Sequence, residues 1–258
     1  AINEKGREQR VLWEEIYSQL EPDFTSQNDK VFKAVRRVMQ VTGGKGIAVF
    51  DRGGDDEKLM RLVFDEQGAR GIFRQTGARK VFWVGWQGVG REAPVKEIAQ
   101  SLPLQYSRVV EVEGKRRRAY YGYCQIRIEG MESKLFLVVV KGIKEPMMLI
   151  TNIPPAGEKG CWRIISWYLR RWGGEDSQRF KKVEFNLEDI RVLTYKAIKR
   201  LCLLTALACN LVWVTIKLWP SVIQVALRIV KAFRKQVKFL PYRVRQGMSM
   251  LLQAETTT

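Results

Sequence analysis

The 258-residue sequence contains no histidine. That absence excludes Ser-His-Asp and Cys-His nucleophile systems, histidine-ligated zinc and any imidazole general base within the chain. Chemistry carried out here must run on carboxylates, Lys, Tyr, Cys or Ser. Cysteine is scarce: Cys124, Cys161, Cys202 and Cys209 form no C-x-x-C pair, which argues against a zinc ribbon. Free thiols suit a reduced, intracellular chain, and the expected location is the cytoplasm. The first residues, Ala-Ile-Asn-Glu-Lys-Gly-Arg, lack the apolar core of a signal peptide. They also lack an initiator Met, which fits a fragment of a longer chain. Acidic residues are few, 27 against 45 Lys and Arg, for a net charge of +18. So basic a balance predicts a polyanionic partner, either nucleic acid or an anionic membrane surface.

What is present argues for an ordered protein. The composition is 46% hydrophobic and 28% charged, which excludes disorder. The length suffices for one large domain or two small ones. Residues 11–20 read as a strand closed by Glu21-Pro22-Asp23. Residues 29–41 carry apolar side chains at helical spacing, and Gly43-Gly44 ends that helix. Ile47-Ala48-Val49-Phe50 reads as a short buried strand with Asp51 at its C-terminal end. Asp55 is placed to cap a following helix, and Gly71-Ile72-Phe73-Arg74 forms the next strand. This alternation is an α/β pattern.

After residue 76 the pattern changes. Residues 80–145 hold short apolar runs split by Gly and charged turns, which reads as antiparallel β and as an inserted module. The α/β pattern resumes at Pro146-Met147-Met148-Leu149-Ile150, followed by a helix over residues 162–184 and another from about residue 189 through 201–216. The expected domains are residues 1–76 and 146–216 as two parts of one core, 77–145 as the β-rich insertion, and 217–258 as a basic helical tail. The apolar stretch 201–216 is shorter than the roughly 20 residues a membrane span needs and contains Asn210, so it reads as a core helix rather than a span. Residues 228–245 carry Arg228, Lys231, Arg234, Lys235, Lys238, Arg243 and Arg245 with no acid. They form either a solvated basic face or a contact to a DNA backbone or anionic membrane.

Two places can carry chemistry. Asp51 ends a buried strand, where α/β sheets place ligands and metals, although for this residue alone a turn or helix cap is the better explanation. Residues 162–184, wound at about 100° per residue, bring Tyr168, Arg171, Glu175, Arg179 and Lys182 to one face. Ile165, Leu169, Phe180 and Val183 fall opposite. One carboxylate among three cations and a phenol is either a salt-bridged surface or a site for phosphates and a divalent ion.

The spacing Tyr168-x2-Arg171-x3-Glu175-x6-Lys182 resembles the Tyr-Arg-Glu-Lys signature of bacterial DDE transposases of the insertion-sequence-four type. Asp51-Arg52-Gly53 is similar to that family's second-carboxylate segment. Leu149-Ile150-Thr151-Asn152-Ile153-Pro154 resembles the strand and loop before the signature helix. Leu187-Glu188-Asp189-Ile190-Arg191 with Tyr195-Lys196-Ala197-Ile198 resembles the segment after it. The resemblance covers about residues 5–215, thinly within the insertion. It implies an RNase H-like α/β core, a mixed sheet with helices, interrupted by a β-rich insertion and followed by the basic tail. It also implies two Mg²⁺ or Mn²⁺ ions held by carboxylates for phosphodiester cleavage and strand transfer. Asp51 and Glu175 would be catalytic metal ligands. Tyr168, Arg171, Arg179 and Lys182 would lie against DNA phosphates at transposon ends. The implied partners are double-stranded DNA and a second copy of the chain, not a membrane.

Departures from the family pattern set further expectations. The first carboxylate is expected upstream of residue 1, so this chain alone is expected not to cleave DNA. Its alternative role is a non-catalytic DNA-binding protein. Gly173 and Gly174, just before Glu175, cost a helix roughly 1–2 kcal/mol relative to Ala. Within the insertion, Lys115, Arg116, Arg117 and Arg118 precede Tyr120 and Tyr121. This run is either a second DNA contact with stacking aromatics or a basic hairpin with paired strand tyrosines. Trp83 and Trp86 offer further stacking surfaces or core packing.

Overall fold

The computed structural model describes the chain except residues 1, 5–7, 11–15, 86–87, 113–114, 144, 172–178, 181, 186–190, 192–193, 231–239 and 256–258. The chain divides into two compact units: Thr25–Arg171, and residues 1–24 together with 172–258. Within the first unit the architecture is mixed α/β.

The first unit begins with α1 (Gln27–Thr42), capped by Ser26, whose Oγ accepts from Asp29 N at 3.0 Å. Hydrogen bonds from Thr25 and Ser26 hold the Asp29 carboxyl below its ordinary pKa. Gly43, at φ 60°, closes the helix in the left-handed region. Next come β3 (Ala48–Phe50), α2 (Glu57–Arg61), β4 (Gly71–Arg74), β5 (Lys80–Gly85), β6 (Gly88–Pro94) and α3 (Val95–Ser101). The unit is completed by β7 (Tyr106–Val112), β8 (Lys115–Arg127), β9 (Leu135–Lys141), β10 (Met147–Thr151) and α4 (Gly157–Leu169). The strands form one eight-stranded sheet in the order β3-β4-β10-β9-β8-β5-β6, with β7 on β8. β3 and β4 run parallel, and the other described pairs of this sheet are antiparallel. The strands of the expected insertion therefore continue the same sheet as β3, β4 and β10.

Helices cover both faces, which is why β9 reads Leu-Phe-Leu-Val-Val-Val without alternation. One face packs Phe73 and Leu137 under Leu59 and Met60 of α2 and the following Val63, with Val31, Phe32 and Val35 of α1 against them. The other packs Ile72, Val138 and Leu149 under Ile164, Ile165 and Tyr168 of α4.

Four local expectations are corrected. Residues 16–20 are loop and turn rather than strand: successive turns, Glu21 N to Ser18 O and Phe24 N to Glu21 O, fold Tyr17 onto Phe24 with ring centroids 5.4 Å apart. The cap of α2 is Asp56, whose Oδ1 accepts from Leu59 N at 2.8 Å. Asp55 instead accepts from Thr76 and Arg79. The helix expected over residues 162–184 begins five residues earlier and is broken by a turn at Arg170 and Arg171, with helix described again at residues 179–180 and 182–184. There Arg171 N bonds Tyr168 O at 2.9 Å, a tightened last turn ahead of Gly173 and Gly174. The helix expected from about residue 189 is described from Tyr195, behind the Thr194 cap.

The second unit holds a hairpin of β1 (Ile2–Glu4) and β2 (Glu8–Arg10), with α5 (Tyr195–Leu218), α6 (Pro220–Ile229) and α7 (Leu240–Glu255). Phe180, Cys209, Val212, Ile223, Leu227 and Val244 form its core. Lys199 bonds Glu21 at 2.7 Å, which holds the ammonium pKa above its ordinary value. Among the described helices α5 alone is long and apolar enough to cross a membrane, and a third of its most apolar window is buried. The expectation of a core helix over 201–216 is met on one side only. Thr205, Cys209, Val212 and Trp213 face inward, whereas Leu203, Leu204, Leu207 and Leu211 are more than half exposed. The stretch is apolar all round, and the described neighbours cover one side of it.

Candidate functional site

The parallel register Phe50↔Phe73 sets the last residues of β3 and β4 side by side. Asp51 and Arg74 thus leave the sheet at the same edge. Phe50 stacks on Phe73, centroids 4.6 Å apart, on the α2 side. Strand alternation then sends Asp51 and Arg74 toward α4. The last turn of α4 meets them there. Arg171 Nη1 lies 3.6 Å from Asp51 Oδ2, and Arg74 Nη1 lies 3.5 Å from the Tyr168 hydroxyl. Arg52, one residue after Asp51, donates to Glu145 Oε2 at 2.5 Å, and Arg74 Nη2 reaches the same oxygen at 3.4 Å. Glu145 stands two residues before β10. Three guanidinium groups therefore gather around two carboxylates at the C-terminal ends of β3 and β4.

The loop after β10 positions α4. Thr151 Oγ1 donates to Gly71 O at 2.6 Å. Asn152 accepts from Gly71 N and donates to Ala69 O. The Thr-Asn pair thus ties the approach to α4 to the start of β4.

Burial divides the roles. Tyr168 is fully buried in the core, and its hydroxyl meets Arg74 from inside the protein rather than opening to solvent. Arg74 and Arg171 are 15% and 19% exposed, against 50% for Arg52. Asp51 also caps the short 3₁₀ turn Arg52–Gly54, its Oδ1 accepting from Gly53 N at 3.0 Å. The cap reading of Asp51 is therefore met, and its other oxygen faces Arg171. Two carboxylates, Asp51 and Glu145, each engaged by guanidinium groups, do not by themselves fit a pair of divalent ions. Among the described residues of this cluster the cations outnumber the acids.

Of the remaining sequence candidates, Glu175 is outside the described residues. Arg179 and Lys182 belong to the second unit, where both are exposed, and Val183, expected on the apolar side, is exposed as well. Lys115, Arg116, Arg117 and Arg118 are exposed on a hairpin of the first unit. β9 pairs only Tyr120 to Ile126 of β8, so this basic end pairs with β7 alone. Tyr120 is exposed beside it, whereas Tyr121 is buried, donates to Glu158 at 3.2 Å and packs on Trp162. Of the two tyrosines, Tyr120 alone can stack on a ligand. Trp83 is half-buried against the core, and Trp86 lies outside the described residues. In the basic stretch 228–245, Arg245 is engaged by Glu184 at 2.5 Å.

A separate cleft of about 740 Å³ is lined by Asp55, Glu57, Arg61, Arg79, Phe82 and Glu129, among others. Four of its charged residues pair with one another: Asp55 and Glu57 with Arg79, and Glu57 with Arg61.

The sequence reading missed Arg52, Arg74 and Glu145 as members of the site. Arg74 carried a usable signal, because it ends the strand that follows the Asp51 strand, and a parallel pair sets such residues together. Nothing local in the sequence marks Glu145.

No protein-family model matches the chain, and no curated protein matches it at a significant level.

Proposed function

We propose that the chain binds duplex DNA through phosphate contacts, as part of a DDE-type transposase of the insertion-sequence-four kind with an RNase H-like core. The observation that carries this reading is the meeting of Asp51 with Tyr168 and Arg171. These three positions of the family-like pattern are far apart in the chain, and they converge at a strand end where three cations gather. The net charge of +18 and the exposed Lys115 to Arg118 hairpin support a polyanion as ligand. Arg171 and Arg74 would hold phosphate oxygens, since guanidinium groups match them bidentately, with the buried Tyr168 hydroxyl behind Arg74.

A second reading is a DNA-binding protein without cleavage activity. The engagement of Asp51 by Arg171 and Gly53 favours it for the chain alone. Mg²⁺ or Mn²⁺ remains the cofactor class for the cleaving form of the proposal.

The test is binding of a labelled duplex at several salt concentrations, with anionic vesicles in parallel and plasmid nicking in Mg²⁺. Salt-dependent duplex binding without vesicle binding is expected. Binding to vesicles alone overturns the proposal. Metal-dependent nicking selects the transposase reading over the binding-only one.

A further inference from the structure

Arg52 and Arg74 share a single carboxylate. Glu145 Oε2 accepts from Arg52 at 2.5 Å and stands 3.4 Å from Arg74. The three side chains differ in how firmly they are held. Arg74 is 15% exposed and its guanidinium is fixed among the sheet, Tyr168 and Glu145. Its Nε is buried and has no hydrogen-bond partner among the described residues. Glu145 is 68% exposed. An exposed Glu leaves such a contact by a rotamer change, with no backbone motion.

This arrangement is under-satisfied. A carboxylate presents two oxygens in one plane, and the oxygen that Arg74 approaches is also the acceptor for Arg52. A tetrahedral phosphate group presents more acceptors in more directions. It can take both guanidinium groups at once through Arg52 Nη2 and Arg74 Nη2, the nitrogens that now meet the single Glu145 oxygen.

We infer that Arg52 and Arg74 form a phosphate-binding site whose place is held by the Glu145 carboxylate until a phosphate group displaces it. The inference rests on the proposed DNA-binding reading for the source of that phosphate, a backbone phosphodiester. The same chemistry would also accept free inorganic phosphate. Glu145 then acts as an internal competitor: it keeps the two cations from repelling each other in the free protein and weakens unspecific anion binding.

The test uses the full chain and four variants: Glu145→Gln, Arg74→Gln, the double variant Glu145→Gln/Arg74→Gln, and Glu132→Gln as a control for removing one exposed negative charge. Each is titrated at low ionic strength with inorganic phosphate and with a labelled 20-base-pair duplex. Glu145→Gln is expected to bind both probes about two- to fivefold more tightly, the range one exposed competing carboxylate supports. The Glu132→Gln control should show no such gain, and the double variant should lose it. Arg52→Gln, at an exposed position, repeats that loss without disturbing the core.

The inference is overturned if Glu145→Gln gains nothing on inorganic phosphate, if the control gains as much, or if the gain survives in the Glu145→Gln/Arg74→Gln double variant. A gain on inorganic phosphate in a chain that binds no duplex keeps this site and rejects the DNA reading. Duplex binding by the wild type with no gain in Glu145→Gln keeps the DNA reading and rejects this site.

Discussion

Arg171 Nη1 lies 3.6 Å from Asp51 Oδ2, linking the end of α4 to the end of β3. The contact is longer than a charge-assisted hydrogen bond, so it holds the guanidinium beside the strand end without clamping it to Asp51. Arg171→Ala should weaken duplex binding at all sequences and reduce the salt slope by about one. Asp51→Asn should leave the melting temperature nearly unchanged, because Asn caps the turn through Gly53 N as well as Asp does. Anisotropy titrations across salt and thermal melts check both. A salt slope unaltered by Arg171→Ala would remove that residue from the interface.

The basic hairpin should act additively with that site. Replacing Lys115, Arg116, Arg117 and Arg118 together by Gln should flatten the salt dependence by about three to four units if each meets a phosphate. The two neighbouring tyrosines should separate cleanly. Tyr120→Ala should weaken single-stranded DNA binding by about 1–3 kcal/mol with the melt unchanged. Tyr121→Ala should destabilise the fold by about 3–5 kcal/mol, because that ring is buried against Trp162.

Stability should depend strongly on one ion pair. Arg79 grips Asp55 through Nε at 3.0 Å and Nη2 at 2.9 Å, and the two side chains are 15% and 7% exposed. Thr76 adds two hydrogen bonds to the same carboxylate. Asp55→Ala leaves a mostly buried guanidinium uncompensated and should cost about 3 kcal/mol. For a unit of this size that is roughly a 10 °C fall in melting temperature. Asp65→Ala, whose carboxylate accepts only exposed or partly buried backbone N–H groups of Glu132 and Ser133 among the described contacts, should cost less. Equal losses would contradict the ranking.

Alkaline pH should unfold the protein through its thiols. Burial pushes Cys124 and Cys161 from the ordinary 9.0 up to about 12. The unfolded chain releases these protons near pH 9, while the folded chain keeps them. Stability from this source is therefore fully present below pH 9 and falls between pH 9 and about 12. The slope is up to about 1.4 kcal/mol per pH unit for each thiol. Burial and the Glu158 carboxylate likewise push Tyr121 up to about 12, which adds a loss above pH 10. Denaturant melts from pH 8 to 11 should show this decline, and an upward trend would contradict it. Both thiols should also resist a thiol reagent in the native state.

Much of the fold was legible in local patterns. The α1 periodicity with Ser26 and Gly43 at its ends, and the apolar runs at β3, β4 and β10, all mark elements whose boundaries are set by residues next to them. Local patterns failed where a neighbour in space took over. Residues 16–20 turn because Tyr17 closes on Phe24. Asp55 leaves the cap of α2 to Asp56 because Arg79 and Thr76 claim its carboxylate. The described part of α4 stops at Leu169 ahead of a glycine pair whose weak helix propensity was visible beforehand.

By itself, the sequence determined the excess of cations, the exclusion of histidine chemistry, and the candidates Asp51, Tyr168 and Arg171. These follow from residue type and spacing, which no fold is needed to read. Tertiary structure alone decided which side chains share a site. The parallel register of β3 and β4 brings Arg74 beside Asp51, and the turn before β10 brings Glu145 onto both Arg52 and Arg74. It also decided that the Tyr168 ring is core and Tyr120 surface. Such pairings depend on strand register and helix placement, long-range quantities that short stretches of sequence do not encode.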